Sequence, residues 1–196
     1  MTGTRTGDDV RFGRTLVGAT AGDLLAQPVE ALVLAANRRG LLGAGPAGSV
    51  RIAAGPDVER EAMAQAPLPL GGAVVTSAGR LDARGVRSIV HAVIAGALGD
   101  ASTVPTVRRA LTAALAAVDA AKLRSVAIPP LGAGTGPGQL AAASVAAALV
   151  DEAVAYLRRS PTRLERIVFV AAVPADVPAF AAAIERARSR SWKQSA

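Results

Sequence analysis

Short, continuously apolar segments that alternate with helical segments constrain the fold of this chain more than any other feature. Residues 31–36 (ALVLAA) are apolar at every position, and residues 88–94 (SIVHAVI) are nearly so. Such runs are typical of strands that are buried on both faces, because helices cover both faces of their sheet. The alternation therefore predicts an α/β fold, with three α/β/α layers around a mixed, largely parallel central sheet.

The same patterns predict the individual elements. Strands are expected at residues 10–17, 31–36, 73–77, 88–94, 125–128 and 167–172, and helices at 49–54, 56–64, 139–158 and 174–188. A further long helix follows Ser102 or Thr103, either of which can cap its N-terminus. Residues 1–9 and 189–196 lack an apolar pattern, so we expect one domain over residues 10–188 with a mobile tail at each end.

The composition excludes several classes of site. The chain of 196 residues has no Cys and a single His, His91, so disulfides, thiolate zinc sites, cysteine nucleophiles and multi-histidine metal sites are ruled out. We expect neither a metal nor a cofactor. Residues 1–10 lack the apolar core of a signal peptide, and the longest apolar run, 140–150, is shorter than the ~20 residues that span a bilayer. These features predict a soluble, cytoplasmic protein with no membrane partner.

The charge of the chain is strongly basic. Its net charge is +7, and Lys122 and Lys193 are the only lysines among 22 basic residues. Such an excess attracts nucleic acid and other polyanions, although a GC-rich genome also produces compositions of this kind. Aromatic residues make up only 3% of the chain, which leaves almost no stacking platform for single strands. The charge is compatible with an anionic ligand without identifying it.

Two glycine-rich loops each follow an apolar strand and precede a helix. They are residues 40–50 (GLLGAGPAGSV) and 131–138 (LGAGTGPG). In open α/β sheets, ligands bind outside the carboxyl ends of the strands, where backbone N–H groups of such loops and the following helix can hold an anion. Neither loop has the lysine of a P-loop. The pair predicts a phosphate-bearing ligand, and the alternative is that both loops are ordinary turns.

The order of four motifs resembles the macrodomain family, which binds ADP-ribose. Residues 22–37 (GDLLAQPVEALVLAAN) are similar to the opening motif of that family, and residues 38–55 are similar to its first glycine loop and the helix that follows. SIVHAV at 88–93 resembles its Val-Ile-His strand, and IPPLGAGTGPG at 128–138 resembles its phosphate-holding loop. The resemblance covers residues 10–188 and implies a macrodomain-like fold.

The resemblance assigns three residues to the two ends of the ligand. Asp23 falls on the aspartate that accepts a hydrogen bond from the adenine amino group, and the backbone N–H of Leu24 faces the base. Asn37 falls on the asparagine that reaches the distal ribose, where an amide can both donate to and accept from hydroxyl groups. The alternatives are that Asp23 is only a turn residue and that Asn37 only caps a turn.

The resemblance also assigns the residues around the phosphates and the strand histidine. The pyrophosphate and distal ribose would be lined by Gly43, Gly45, Gly48, Ser49 and Val50 from one side and by Gly132, Ala133, Gly134, Thr135 and Gly136 from the other. His91 matches a position within a strand. We interpret it as a core histidine rather than as a general base.

Departures from the family bear on catalysis. Ala47 and Gly136 stand where hydrolytic branches of the family have aspartates, and Leu34 replaces the first Asn of the opening motif. The resemblance therefore implies binding of ADP-ribose, free or as a mono-ADP-ribosyl or O-acetyl-ADP-ribose adduct, with weak or absent hydrolysis. The expected partners are ADP-ribose or a related adenine nucleotide, and ADP-ribosylated protein or nucleic acid.

Two other functions stay open at the level of sequence. One is an ADP-ribosyl or O-acetyl-ADP-ribose hydrolase whose catalytic group is not the usual one, so that no catalytic residue can be assigned. The other is a basic protein that binds nucleic acid and keeps only the scaffold of the family.

Overall fold

The computed structural model describes residues 9–133 and 139–193, which form seven strands and five α-helices in these ranges. The strands are β1 (Val10–Phe12), β2 (Thr15–Ala21), β3 (Ala31–Asn37), β4 (Ala73–Ser77), β5 (Ser88–Ala95), β6 (Ser125–Ile128) and β7 (Arg166–Ala171). The helices are α1 (Pro46–Ala54), α2 (Pro56–Ala64), α3 (Val104–Ala120), α4 (Ala142–Arg159) and α5 (Val177–Lys193). Short 3₁₀ turns cover Leu24–Ala26, Gly79–Arg84 and Pro174–Asp176.

The strands form one mixed sheet in the order β1-β2-β7-β6-β3-β5-β4. The five inner strands, from β2 to β5 in this order, run parallel to one another, and only the two outer strands are antiparallel to their neighbours. The prediction of a mixed, largely parallel sheet is confirmed. The carboxyl ends of the five parallel strands consequently lie at one edge of the sheet and their amino ends at the opposite edge.

Helices cover both faces of the sheet and confirm the three layers. On one face, α3, α4 and α5 pack around a large core in which Leu111, Leu149 and Phe180 are fully buried, and the ring of Phe180 stacks on Phe169 with centroids 5.1 Å apart. On the other face, α1 and α2 bury Val50 and Val58 against a second core. Burial of a large apolar side chain contributes about 1.5–3 kcal/mol, so both layers stabilise the sheet.

Several predicted elements have different ends in the structure, some of them by more than one residue for a clear physical reason. The expected strand at 10–17 is two strands, because the chain reverses at Gly13, whose φ is +60°. Helix α1 begins at Pro46 instead of residue 49, since the fixed φ of proline suits the first turn of a helix. Helix α5 continues to Lys193, five residues beyond the predicted end, and Arg190 forms an ion pair with Asp151 of α4.

The second glycine-rich loop accounts for the late start of α4. This helix begins at Ala142 instead of residue 139, because Leu140 still belongs to the loop, where its N–H donates to the carbonyl of Gly132. Thr103 caps α3 by accepting from the N–H of Thr106, whereas the Ser102 hydroxyl donates to the carbonyl of Ile94. Among the helices of residues 9–133 and 139–193, none is both long and apolar enough to cross a membrane.

Candidate functional site

The strands β3 and β6 are neighbours in the sheet, and their carboxyl ends lie at the same edge. After β3 the chain passes to α1 on one face, and after β6 it passes to α4 on the opposite face. The last paired residues of the two strands are Leu32 and Ala127, and β3 continues for five residues beyond that pair, to Asn37. Adjacent strands whose connections leave in opposite directions form the usual ligand crevice of an open α/β sheet.

The first glycine-rich loop is packed tightly at two positions and open at a third. A Cβ atom at Gly48 would lie 2.8 Å from the carbonyl oxygen of Gly43, so these two glycines permit a close backbone approach. Gly45 has a φ of +64°, and a Cβ atom there would meet no atom within 4 Å in the described parts of the chain. The α carbon of Gly45 therefore faces open space at the start of α1.

Helix α1 begins without a capping side chain. Its N-cap is Gly45, its first residue is Pro46, and the first backbone bond inside the helix runs from the N–H of Ser49 to the carbonyl of Gly45. The N–H groups of Ala47 and Gly48 precede that bond and have no partner inside the helix. N–H groups that the helix leaves without a partner, together with the positive end of the helix dipole, favour an anion at this position.

Backbone hydrogen bonds join the beginning and the end of the second glycine-rich loop. The N–H of Leu140 donates to the carbonyl of Gly132 (2.9 Å), and the N–H of Ala133 donates to the carbonyl of Pro130 (3.1 Å). Gly132 has a φ of +84° and packs closely against Val107 of α3. The predicted residues Gly134, Thr135 and Gly136 lie outside the described residues.

Asp23 is exposed at the end of the crevice next to β2. Its Oδ1 accepts from the N–H of Leu25 (2.9 Å), so the carboxylate caps the short 3₁₀ turn, as the alternative interpretation of a turn residue expected. This bond uses one carboxylate oxygen and fixes the direction of the other. Leu24 is buried in the second core, so its contribution to a ligand is restricted to the backbone.

Asn37 uses its side chain to hold the first turns of the glycine-rich loop. Its Oδ1 accepts from the N–H of Arg39 (3.0 Å), and its Nδ2 donates to the carbonyl of Leu41 (2.8 Å). The residue is buried, with 3% of its surface exposed. One N–H and one lone pair of the amide are left over for a ligand. The described geometry thus assigns Asn37 the turn-capping role that the sequence left as an alternative.

The remaining predicted residues of the first loop differ in exposure. Ser49 is exposed on the first turns of α1, whereas the side chain of Val50 is fully buried in the second core and does not face the crevice. Ala47, at the position where other branches carry an aspartate, is 7% exposed and packs against the same core. The start of α1 therefore presents backbone and a hydroxyl group, and no carboxylate.

Two exposed apolar side chains flank the crevice, and the sequence did not single them out. Val173 follows β7 and is 54% exposed. The last pair of residues between β2 and β7 is Ala21 and Ala171. Val173 comes two residues after that pair on the β7 side, and Asp23 comes two residues after it on the β2 side. Leu98 follows β5, is 59% exposed and reaches Gly43, since a Cβ atom on that glycine would lie 2.7 Å from its Cδ1. Neither residue belongs to the periodic apolar pattern of a helix or a strand, so the sequence analysis had no reason to select them.

His91 is a neutral core residue. It is fully buried on β5, and its Nε2 lies 3.0 Å from the hydroxyl oxygen of Thr76. Burial lowers the pKa of the imidazole to about 4, against a smaller opposite effect of the Glu61 carboxylate. Its Nδ1 has no hydrogen-bond partner in the described parts of the chain. This placement agrees with the interpretation of a core histidine.

In the part of the chain that the structure describes, acidic, histidine and cysteine side chains do not cluster as metal ligands would. Within residues 9–133 and 139–193, no group of three or more such residues could hold a metal ion.

Comparisons with known proteins point to one family. The model of the Macro domain matches residues 33–147. A protein of Aquifex aeolicus described as uncharacterized is 36% identical over 149 residues, which cover 76% of this chain and 86% of that protein. The O-acetyl-ADP-ribose deacetylase of Citrobacter rodentium is 33% identical over 154 residues, which cover 76% of this chain and 84% of that enzyme.

A solved structure shows the same fold. A variant of the Oceanobacillus iheyensis macrodomain with ADPR superposes with a TM-score of 0.77 at 21% identity, covering 91% of this chain and 96% of that chain.

Proposed function

This chain belongs to the macro domain family, and from that premise we propose that it binds ADP-ribose, free or as a mono-ADP-ribosyl or O-acetyl-ADP-ribose adduct, in the crevice between β3 and β6. The observation that carries the proposal is the pair of glycine-rich loops that leave these adjacent strands toward opposite faces of the sheet. The deacetylase of Citrobacter rodentium and the macrodomain structure with ADPR support this class of ligand.

The crevice offers complementary groups to each part of the ligand. The pyrophosphate lies at the uncapped start of α1, where the N–H groups of Ala47 and Gly48 have no partner inside the helix. The adenine lies at the other end, between the exposed carboxylate of Asp23 and the exposed side chain of Val173. The distal ribose then falls near Asn37, and Gly134, Thr135 and Gly136 stay predicted contacts of the phosphates.

Calorimetric titration with ADP-ribose tests the binding directly. We expect a dissociation constant in the micromolar range, which corresponds to a binding free energy of about −8 kcal/mol. ADP should bind as well, because it keeps the adenine and the pyrophosphate. A titration to about 1 mM ADP-ribose without detectable heat or thermal stabilisation would overturn the proposal.

Asp23→Asn should change which base the protein prefers. The amide oxygen can still cap the turn at Leu25, but the other carboxylate oxygen becomes an NH₂ group, which repels the amino group of adenine. We expect ADP-ribose to bind about tenfold more weakly to the variant, a loss of about 1.4 kcal/mol, with inosine diphosphate ribose affected less. Wild-type protein should prefer ADP-ribose over the inosine ligand.

Thermal unfolding separates this effect from a loss of the cap. Asp23→Ala removes the cap as well and should cost about 1 kcal/mol of stability, whereas Asp23→Asn should not. Equal affinity of wild type for the adenine and inosine ligands would contradict the assignment of Asp23 to the base.

Hydrolysis of the bound ligand should be slow. Ala47 supplies no acid at the start of α1, and a positioned acid or base typically contributes 10²–10⁴-fold to a rate. The alternative, a hydrolase with an unusual catalytic group, is favoured by one observation, the deacetylase name of the Citrobacter rodentium relative.

Ala47→Asp tests whether the missing carboxylate limits the rate. Ala47 is buried against the second core, so a carboxylate there costs stability that the favourable helix dipole offsets only in part, and thermal unfolding of the variant is measured first. In the folded variant we expect release of ADP-ribose from mono-ADP-ribosylated acidic side chains to rise at least tenfold. Ala47→Asn is the matched control, because it has the same size and no charge, and it should leave the rate near background. Rapid turnover by the wild type would refute weak hydrolysis.

A further inference from the structure

The amino-terminal edge of the sheet, opposite the crevice, concentrates positive charge. We count the charged side chains in the first residue of each parallel strand and in the five residues that precede it. These positions hold eight basic side chains and two acidic ones. The basic ones are Arg11, Arg14, Arg84, Arg87, Lys122, Arg124, Arg163 and Arg166, and the acidic ones are Glu30 and Glu165. Asp82 and Asp119 lie next to this edge, and the Glu61 carboxylate bonds to Ser77, which pairs with Ser88 at the start of β5. Counting these three carboxylates as well, three positive charges are in excess.

A row of alternating charges runs along this edge in the order of the strands. Arg14 before β2 lies 3.7 Å from Glu165 before β7, and the same carboxylate lies 3.4 Å from Arg124 before β6. Glu30 before β3 accepts from the backbone N–H of Arg124 and lies 3.9 Å from Arg87 before β5. The two glutamates therefore hold three arginines in position across five strands, about 19 Å at the usual strand spacing.

The three arginines keep most of their surface in solvent. The side chains of Arg14, Arg87 and Arg124 are 62%, 66% and 65% exposed. Ion pairs at such exposure contribute little to stability, so folding alone gives a weak reason for this row. Lys122 and Arg163 are exposed beside it and form no ion pair with a carboxylate of the described residues.

The aromatic residues decide which polyanion fits this edge. Among the side chains that the structure describes, the aromatic ones are Phe12, Tyr156, Phe169 and Phe180, and all four are buried, so none of them can stack on an unpaired base. A surface of arginine forks to which the described side chains add no aromatic platform suits the regular phosphate backbone of a duplex, where contacts are independent of sequence.

We infer that the amino-terminal edge of the sheet is a docking surface for the phosphate backbone of double-stranded nucleic acid. This surface is separate from the ADP-ribose crevice and lies at the opposite edge of the same sheet. A protein docked on a duplex through this edge keeps its crevice directed away from the duplex. The inference does not depend on the proposed function, since it rests on the charges of the edge alone.

Binding of a fluorescently labelled 20-base-pair DNA duplex, measured by anisotropy at several salt concentrations, tests the surface. The test variant carries Lys122→Gln and Arg163→Gln, and the control carries Arg39→Gln and Arg109→Gln. The control residues are also exposed, form no ion pair with a described carboxylate and lie at the opposite edge, after β3 and on α3. Both variants lose the same net charge.

We expect the edge variant to bind the duplex at least tenfold more weakly at low salt, while the control stays within about threefold of wild type. The slope of log K against log salt should fall by about 2 in the edge variant, since each phosphate contact contributes about 0.9. Calorimetry with ADP-ribose on the edge variant should give wild-type affinity.

Three outcomes would overturn the inference. Equal losses of duplex affinity in both variants would show that only the net charge matters. Tighter binding of a single strand than of the duplex would contradict the backbone argument. Absence of duplex binding by the wild type at low salt would exclude the surface. None of these outcomes affects the ADP-ribose proposal, because the crevice is titrated separately.

Discussion

Replacing Gly45 with glutamate is expected to abolish the binding of ADP-ribose. The side chain would extend into the open space at the start of α1 and place a carboxylate where the pyrophosphate is proposed to lie. Repulsion between the two anions and the loss of space should weaken binding at least 100-fold, about 3 kcal/mol, in a calorimetric titration. Unchanged affinity would show that the ligand lies elsewhere.

Gly13→Glu provides the matched control for this variant. Gly13 also has a left-handed φ, +60°, and a Cβ atom there would also meet nothing within 4 Å, but it lies in the β1–β2 turn at the opposite edge of the sheet. Gly45 combines φ +64° with ψ −142°, a backbone region that side chains rarely adopt, so Gly45→Glu should lose stability from strain, and thermal unfolding of both variants separates that loss from the loss of binding. Only Gly45→Glu should lose the ligand.

Acid is expected to destabilise the protein through His91. The imidazole is neutral in the folded state because burial lowers its pKa to about 4, and it has its ordinary pKa of 6.5 in the unfolded state. Between these values the unfolded chain binds a proton that the folded chain does not, so the free energy of unfolding falls as the pH falls. The loss should be about 2 kcal/mol between pH 7 and pH 5 in urea unfolding curves.

His91→Gln should remove most of this dependence. The glutamine amide can still bond to Thr76, and it does not titrate. Glu61 and Glu152 have lowered pKa values, so their carboxylates stay charged over this pH range in both proteins. If the variant does not fold, NMR of the wild type gives the same answer, because its single histidine has one imidazole signal. A signal that titrates near pH 6.5 in the folded protein would contradict the prediction.

Local patterns predicted several elements with their observed ends. The strands Ala73–Ser77 and Ser125–Ile128 and the helix Pro56–Ala64 begin and end where the sequence placed them. Each has a strong local signal, either a short β-rich run or a proline that starts a helix. The reversal at Gly13 was missed although it is local, since residues 10–12 pair with 15–17 across a two-residue turn. The late start of α4 was missed because it depends on the hydrogen bond from Leu140 back to Gly132.

The two glycine-rich loops follow β3 and β6 as the sequence predicted, whereas the ligand contacts of Asp23 and Asn37 stay predictions. The amide of Asn37 bonds to Arg39 and Leu41 within the same loop, a geometry that no spacing rule distinguishes from a ligand contact. Val173 and Leu98 were missed because an exposed apolar residue in a loop resembles any other until its neighbours are known.

The sequence by itself determined the layers, the positions of most strands and helices and the two glycine-rich loops, because these follow from interactions between residues close along the chain. Only the tertiary structure decided that β3 and β6 are neighbours, that Arg14 and Glu165 meet at the far edge and that His91 is neutral. Strand order, ion pairs between distant segments and desolvation all depend on how the apolar faces pack together. That packing is a property of the whole core and of no single segment.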